Sequence, residues 1–280
     1  MSGIFMSSGY NGPKETRYLF VDGGCWRQMI EDAAKRYSFF DATQIDYAKV
    51  FGGFSKTFYY DSMPPQKNGE SNEDYAARIK PMEELFNDLR TIPGVHVYEG
   101  SSRRRRRTVQ QKKVDIMIAV DMLTHSFRRN MHQATLLTAD LDFKPLIDAL
   151  VQDGMHVDLL YPHGKPNKEL LYAADARRPL TFRELHAWCK TEFQESYSFE
   201  VSSGLKGRND EKDLVLKETW TRNDIEIELY QVSSKNIYVI MFPDRASRRP
   251  NYYFKVKHSD SEVLKTFVEE CFQEFWDTLI

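Results

Sequence analysis

From Tyr18 onward, short apolar runs alternate with longer stretches of amphipathic spacing, and this alternation restricts the fold more than any other feature of the chain. The runs at 18–22, 56–60, 95–98, 134–138 and 157–161 have the length and composition of strands. Helical spacing covers 25–36, 43–50, 72–91, 115–128, 143–153 and 181–193. Strand and helix in regular alternation build βαβ units, so the expected core is an α/β domain around a parallel sheet. Ser71 and Asp74 have capping-box spacing at the head of 72–91, and Pro81 inside that stretch predicts a kink or a split into two helices.

The pattern changes near residue 195. Residues 201–213 (VSSGLKGRNDEKD) carry glycine and many charges without periodicity, whereas 224–232 (DIEIELYQV) alternates apolar and polar residues. Further strands are expected at 235–242 and 251–257. Val263, Phe267, Cys271, Phe275 and Leu279 then fall on one helical face. The expected organisation is a flexible arm over 1–16, the α/β domain over 17–195, a linker or long loop over 196–213, and a small α+β module over 214–280. A net charge of −2 offers no general attraction to nucleic acid, so any such affinity must come from local basic patches. Three widely spaced cysteines without a CxxC, no cationic-then-apolar leader and no long apolar span lead to the expectation of a cytoplasmic protein.

Four aspartates stand where predicted strands end or helices begin. Asp22 closes the first run, Asp115 opens 115–128, and Asp140 and Asp142 follow 134–138. Each has an ordinary reading, since Asp-Gly marks a turn and a carboxylate at a helix start satisfies free N–H groups. Together they suggest more. Strand carboxyl ends share one edge of a parallel sheet, where ligands collect. Carboxylates gathered there oppose one another's ionisation unless a cation lies between them, which points to a hard divalent metal and to phosphate chemistry.

Four ordered segments, FVDGG, KKVDIMIAVDM, LLTADLDFKPLIDALVQDGMHVDLL and ELLYAADARRPL, resemble the NYN domain of the PIN-like nuclease superfamily over roughly residues 17–180. The resemblance implies a PIN-like three-layer α/β fold and a metal-dependent endoribonuclease that binds Mg²⁺ or Mn²⁺ and hydrolyses RNA, single-stranded RNA being the expected partner. It implies that Asp22, Asp115 and Asp140 are metal-binding acids and that Asp142 is the second acid of an Asp-x-Asp pair. Thr138 stands where the family usually has serine, its hydroxyl near a metal-bound water. Asp121 matches another acid of the family but lies about 240° around the helix from Asp115, so it is expected in a supporting position. The family's first motif commonly runs Asp-Gly-x-Asn, whereas Cys25 occupies the last place here. A thiol does not reproduce the hydrogen bonds of an amide.

The basic run Arg103, Arg104, Arg105, Arg106 and Arg107, with Lys112 and Lys113, leads into Asp115. Such a run is commonly a solvated loop, but its position at the acidic edge favours a grip on substrate phosphates. The competing reading is a catalytically weak NYN-fold module that binds RNA or a protein, and the cysteine at position 25 supports it. The terminal module is a candidate surface for self-association or a protein partner.

Overall fold

A computed structural model of the chain describes residues 15–37, 39–100, 107–164, 167–197, 199–206, 213–233, 235–243 and 252–272. The chain forms two units, one of Met1–Phe39 with Tyr47–Pro179 and one of Phe40–Asp46 with Leu180–Ile280.

In the first unit β1 (Arg17–Asp22) runs straight into α1 (Gly23–Arg36), and α2 (Tyr47–Phe51) precedes β2 (Lys56–Ser62). Then come α3 (Asn72–Thr91), β3 (Val95–Gly100), α4 (Arg107–Phe127) and β4 (Gln133–Leu137). The unit continues with α5 (Lys144–Gln152), β5 (His156–Pro162), α6 (Lys168–Ala173) and β6 (Ala176–Leu180). The sheet order is β3-β2-β1-β4-β5-β6, and the pairings among β1 to β5 are parallel. The parallel α/β core expected from the alternation is therefore present. A parallel sheet is covered on both faces, and the unbroken burial of residues 18–21 and 57–61 meets that requirement. On one face Phe20, Phe58, Tyr60, Leu136 and Leu159 pack with Ile118 and Met122 of α4 and Ile147 and Leu150 of α5. On the other, Tyr59 meets Phe86 of α3 ring to ring, and α1 lies against β1 and β2. Each of these large side chains contributes about 1.5–3 kcal/mol on burial.

Several expectations about elements are corrected. Helix α3 continues as one element through Pro81 and does not split there, held by buried Ile79, Phe86 and Leu89 on either side of it. Ala77, whose carbonyl loses its usual N–H partner to the proline, is exposed, so water can replace the missing donor. Helix α4 begins at Arg107, eight positions before Asp115, so Asp115 does not open a helix. The 43–50 stretch is a 3-10 turn over Ala42–Gln44 followed by α2.

The second unit contains α7 (Phe182–Ala187), α8 (Thr191–Ser196), β7 (Glu200–Lys206), β8 (Leu214–Arg222), β9 (Ile225–Val232), β10 (Ile237–Pro243), β11 (Tyr252–His258) and α9 (Ser261–Cys271). The single helix expected over 181–193 is thus two, separated where Cys189 forms a bridge with Ile45. The strands make an antiparallel sheet of order β7-β11-β10-β9-β8, an α+β module of the expected kind. Strand β7 lies within 196–213 and pairs with β11. Asp260 caps α9 by accepting from Glu262 N–H at 2.9 Å and Val263 N–H at 3.0 Å, and Leu264, Phe267 and Val268 are buried. The expected helical positions Phe275 and Leu279 lie outside the described residues. Among the described residues no helix is long and apolar enough to cross a membrane.

Candidate functional site

The order of the first sheet reverses between β1 and β4, because the chain builds outward through β2 and β3 and then returns to the other side of β1. A crevice opens at such a reversal beyond the carboxyl ends of the strands. Asp22 ends β1 there, and Thr138, Ala139 and Asp140 follow β4 directly. A cleft of about 800 Å³ occupies this edge, lined by Asp22, Asp115 and Asp140 together with Cys25, Arg27 and Asp61, among others.

Each acid is held by a local device. Asp22 is the N-cap of α1, its Oδ1 accepting from Cys25 N–H at 3.1 Å. Its Oδ2 accepts from the Thr138 hydroxyl at 2.9 Å, which ties the end of β1 to the end of β4. The same hydroxyl oxygen accepts from Asp140 N–H at 3.1 Å. Burial raises the Asp22 carboxyl above its ordinary range; the Cys25 and Thr138 hydrogen bonds oppose the rise, and the charges of Asp61 and Asp140 add to it. Asp140 caps the 3-10 turn Leu141–Phe143 by accepting from Asp142 N–H at 2.9 Å. That corrects the capping role considered for Asp142, which is exposed and absent from the cleft wall.

Two functional candidates were not legible in the sequence. Asp61, one residue beyond the apolar run of β2, is 3% exposed, and Arg27 of α1 is 37% exposed. Arg27 Nε donates to Asp61 Oδ2 at 2.7 Å and Nη2 to Oδ1 at 3.0 Å. Ser62 N–H donates to Oδ1 at 2.7 Å, and the Tyr59 hydroxyl lies 3.4 Å from Oδ2. Burial would lower the Arg27 pKa, but its hydrogen bonds to Asp61 prevail and raise it. The available signal was positional: Asp61 stands at the end of its apolar run, one residue before β2 closes, much as Asp22 ends β1.

The remaining sequence candidates are dispersed. Asp121 accepts from the Tyr60 hydroxyl at 2.8 Å and does not line the cleft. Lys113 is exposed two residues before Asp115, which on a helix sets the pair about 200° apart, and it too is absent from the cleft wall. Arg103, Arg104, Arg105 and Arg106 lie outside the described residues, while Arg107 and Lys112 belong to α4. Asp175, at the close of the fourth resemblance motif, accepts from Val157 N–H at 2.9 Å.

The donor chemistry of the cleft suits Mg²⁺ or Mn²⁺, but the arrangement does not. Among the described residues no group of three or more His, Cys, Asp or Glu side chains is placed to hold a metal ion. Asp22 is turned onto Thr138 and Cys25, Asp140 onto Asp142, and Asp61 onto Arg27. As arranged, these residues do not fit a resident ion.

The family model described as the NYN domain matches residues 30–180, a span that includes Asp115, Thr138 and Asp140 but begins after Asp22. No curated protein matches the chain. Among solved structures, the chain is similar to a protein of unknown function from Vibrio parahaemolyticus, at 16% identity and a TM-score of 0.44. That likeness covers 59% of this chain and 93% of the other. The family match spans more than half of the chain and falls on the parallel sheet that carries the cleft: the chain belongs to the NYN domain family of the PIN-like superfamily.

Proposed function

We propose that this NYN domain binds single-stranded RNA at the sheet-edge cleft and cleaves it weakly or not at all. The observation that carries this reading is the state of the acids. Asp22 and Asp61 accept from protein donors on both carboxylate oxygens and Asp140 on its Oδ1, and among the described residues no three ligating groups converge. Cys25 in the asparagine position of the first motif supports it further, because a thiol does not reproduce the hydrogen bonds of an amide. Cations for the phosphate chain come from Arg27 and Lys67 in the cleft wall and from the basic run 103–107, which leads into α4.

A second reading is favoured by the fact that Asp22, Asp115 and Asp140 line one cleft. In it the domain is a metal-dependent endoribonuclease in which these three acids, with Asp142 assisting, move together around Mg²⁺ or Mn²⁺. One experiment separates the readings. A labelled single-stranded RNA is titrated with the full chain in EDTA, then incubated with Mg²⁺ or Mn²⁺. The binding reading expects saturable, salt-sensitive association in EDTA and little cleavage with either ion. Multiple-turnover cleavage that requires the ion and disappears in Asp22→Asn and Asp140→Asn establishes the second reading instead. Absence of any RNA association defeats both.

A further inference from the structure

The guanidinium of Arg27 has two hydrogen-bonding edges, and the fold uses only one. Its Nε–Nη2 side edge is closed by Asp61, with donor–acceptor distances of 2.7 and 3.0 Å. Its end edge, formed by Nη1 and the second N–H of Nη2, has no hydrogen-bond partner among the described residues, although the charge of Glu31, also in the cleft wall, attracts the guanidinium. Arg27 is nevertheless part of the cleft wall and more than a third exposed. Arg78, in the same wall, differs: Glu70 takes its Nε and Nη2, and Nη2 also donates to the Pro65 carbonyl at 3.0 Å.

Asp61 holds Arg27 rigid and offsets its charge. The carboxylate is buried, fixed by Ser62 N–H, and pressed from behind by Gly23, where an added Cβ would lie 2.7 Å from both Asp61 Cβ and Oδ2. A guanidinium held along one edge by such an anchor presents its other edge in a fixed direction. That planar fork matches two oxygens of a phosphate, whereas a lysine offers only a point charge. The Asp61 charge already offsets that of Arg27, so the free edge recognises phosphate by hydrogen-bond geometry more than by net attraction.

We infer that Arg27, positioned by Asp61, is the residue of the cleft that grips a backbone phosphate of single-stranded RNA. The inference rests on the RNA-binding reading above and specifies its contact. The Asp61 carboxylate does not touch the phosphate and acts only through Arg27.

The test is the salt dependence of binding of a labelled oligouridylate to the full chain. Because a lone Arg27→Gln would strand a buried carboxylate, the principal variant is the double Arg27→Gln/Asp61→Asn. It replaces the ion pair with neutral hydrogen-bonding groups and leaves the net charge unchanged. Affinity is expected to fall about tenfold or more. The slope of log K against log salt is expected to stay close to that of the parent, because the exchanged pair carries no net charge. Arg27→Lys keeps the charge and loses the fork, so the slope should persist while affinity falls. Hydrogen exchange over β1 and β2 confirms that each variant is folded. Affinity equal to that of the parent in both variants overturns the assignment, as does an Arg27→Lys variant that binds as tightly as the parent. If the parent chain itself does not bind RNA, the failure belongs to the proposed function and not to Arg27.

Discussion

Gly23 is the position at which the acidic edge tolerates a side chain least. It is the first residue of α1, directly after the N-cap Asp22, and its backbone lies against the end of β2. A Cβ built there meets Asp61 Cβ, Asp61 Oδ2 and the Tyr60 carbonyl oxygen, each at 2.7 Å. Ordinary carbon contact is ~3.5–4.0 Å, so the added methyl must displace its surroundings by about 1 Å. Two of those neighbours cannot yield cheaply. The Tyr60 oxygen belongs to a central strand, and Asp61 is clamped by Arg27 and Ser62. Gly23→Ala should therefore cost about 1–3 kcal/mol, the usual range for overpacking. The gain from alanine's better helix propensity, at most about 1 kcal/mol, offsets only part of it. For a unit of this size each kcal/mol corresponds to roughly 2–4 °C in Tm. The control is Gly24→Ala, where the added Cβ finds only Asp22 Oδ1 at 3.3 Å on an exposed residue and the cost should stay within about 0.5 kcal/mol. Hydrogen exchange of β1 and β2 peptides, with urea midpoints for both variants, measures the difference. If Gly23→Ala is as stable as the parent or more so, the close packing of α1 on β2 described here is wrong.

Two further outcomes follow from the same edge. Because burial raises the folded Asp22 carboxyl above its ordinary value of 3.8, the folded state keeps a proton that the unfolded chain has lost. Its contribution to stability is therefore full below pH about 3.8 and declines as pH climbs to the raised value. Asp22→Asn retains an acceptor for Cys25 N–H and a donor toward Thr138, so it should raise Tm at neutral pH and change it little near pH about 3.5; an equal shift at both pH values contradicts this. Thr138→Val leaves Asp22 Oδ2 and Asp140 N–H without their shared partner and should cost about 1–3 kcal/mol at neutral pH by urea unfolding. In a double-mutant cycle with Asp22→Asn the two effects should couple by at least about 0.5 kcal/mol, and strict additivity would mean that the Asp22–Thr138 bond contributes nothing.

The sequence pattern carried the parallel sheet because its strands are apolar on both faces, and continuous runs such as LFV at 19–21 stand out against charged helices. Elements lacking that contrast were lost. β6 reads ARRPL, and β8 is mostly exposed, so neither has an apolar signature. The start of α4 was hidden by its own basic residues, because arginine is a good helix former and nothing in RTVQQKK marks a cap. The acids divide by the distance over which they had to be inferred. Asp22 and Asp140 follow apolar runs closely enough for their strand-end positions to be read locally. Asp61 follows its apolar run as closely, but its place beside Asp22 needed the knowledge that β2 neighbours β1, and Arg27 needed the direction in which α1 leaves β1. Both are facts of strand order and crossover, which one sequence does not encode in any local signal.

That division bears on why a metal was expected at this edge. Carboxylates brought to adjacent strand ends must be compensated, and the sheet order does bring them together: Asp61 from β2, Asp22 from β1 and Asp140 after β4, on three neighbouring strands. An external cation is one solution. The other is a set of protein donors, and the fold supplies them in order along the edge. Arg27 and Ser62 N–H serve Asp61, Cys25 N–H and the Thr138 hydroxyl serve Asp22, and Asp142 N–H serves Asp140. Drawing these acids onto a shared ion would set the ion against hydrogen bonds on both oxygens of Asp22, one of which also caps α1. Each such loss costs about 0.5–2 kcal/mol, so a divalent ion has to outbid the local structure as well as water. The acidic edge is thus held together by the chain's own donors, with Arg27 as its only charged counterweight to Asp61 among the described contacts.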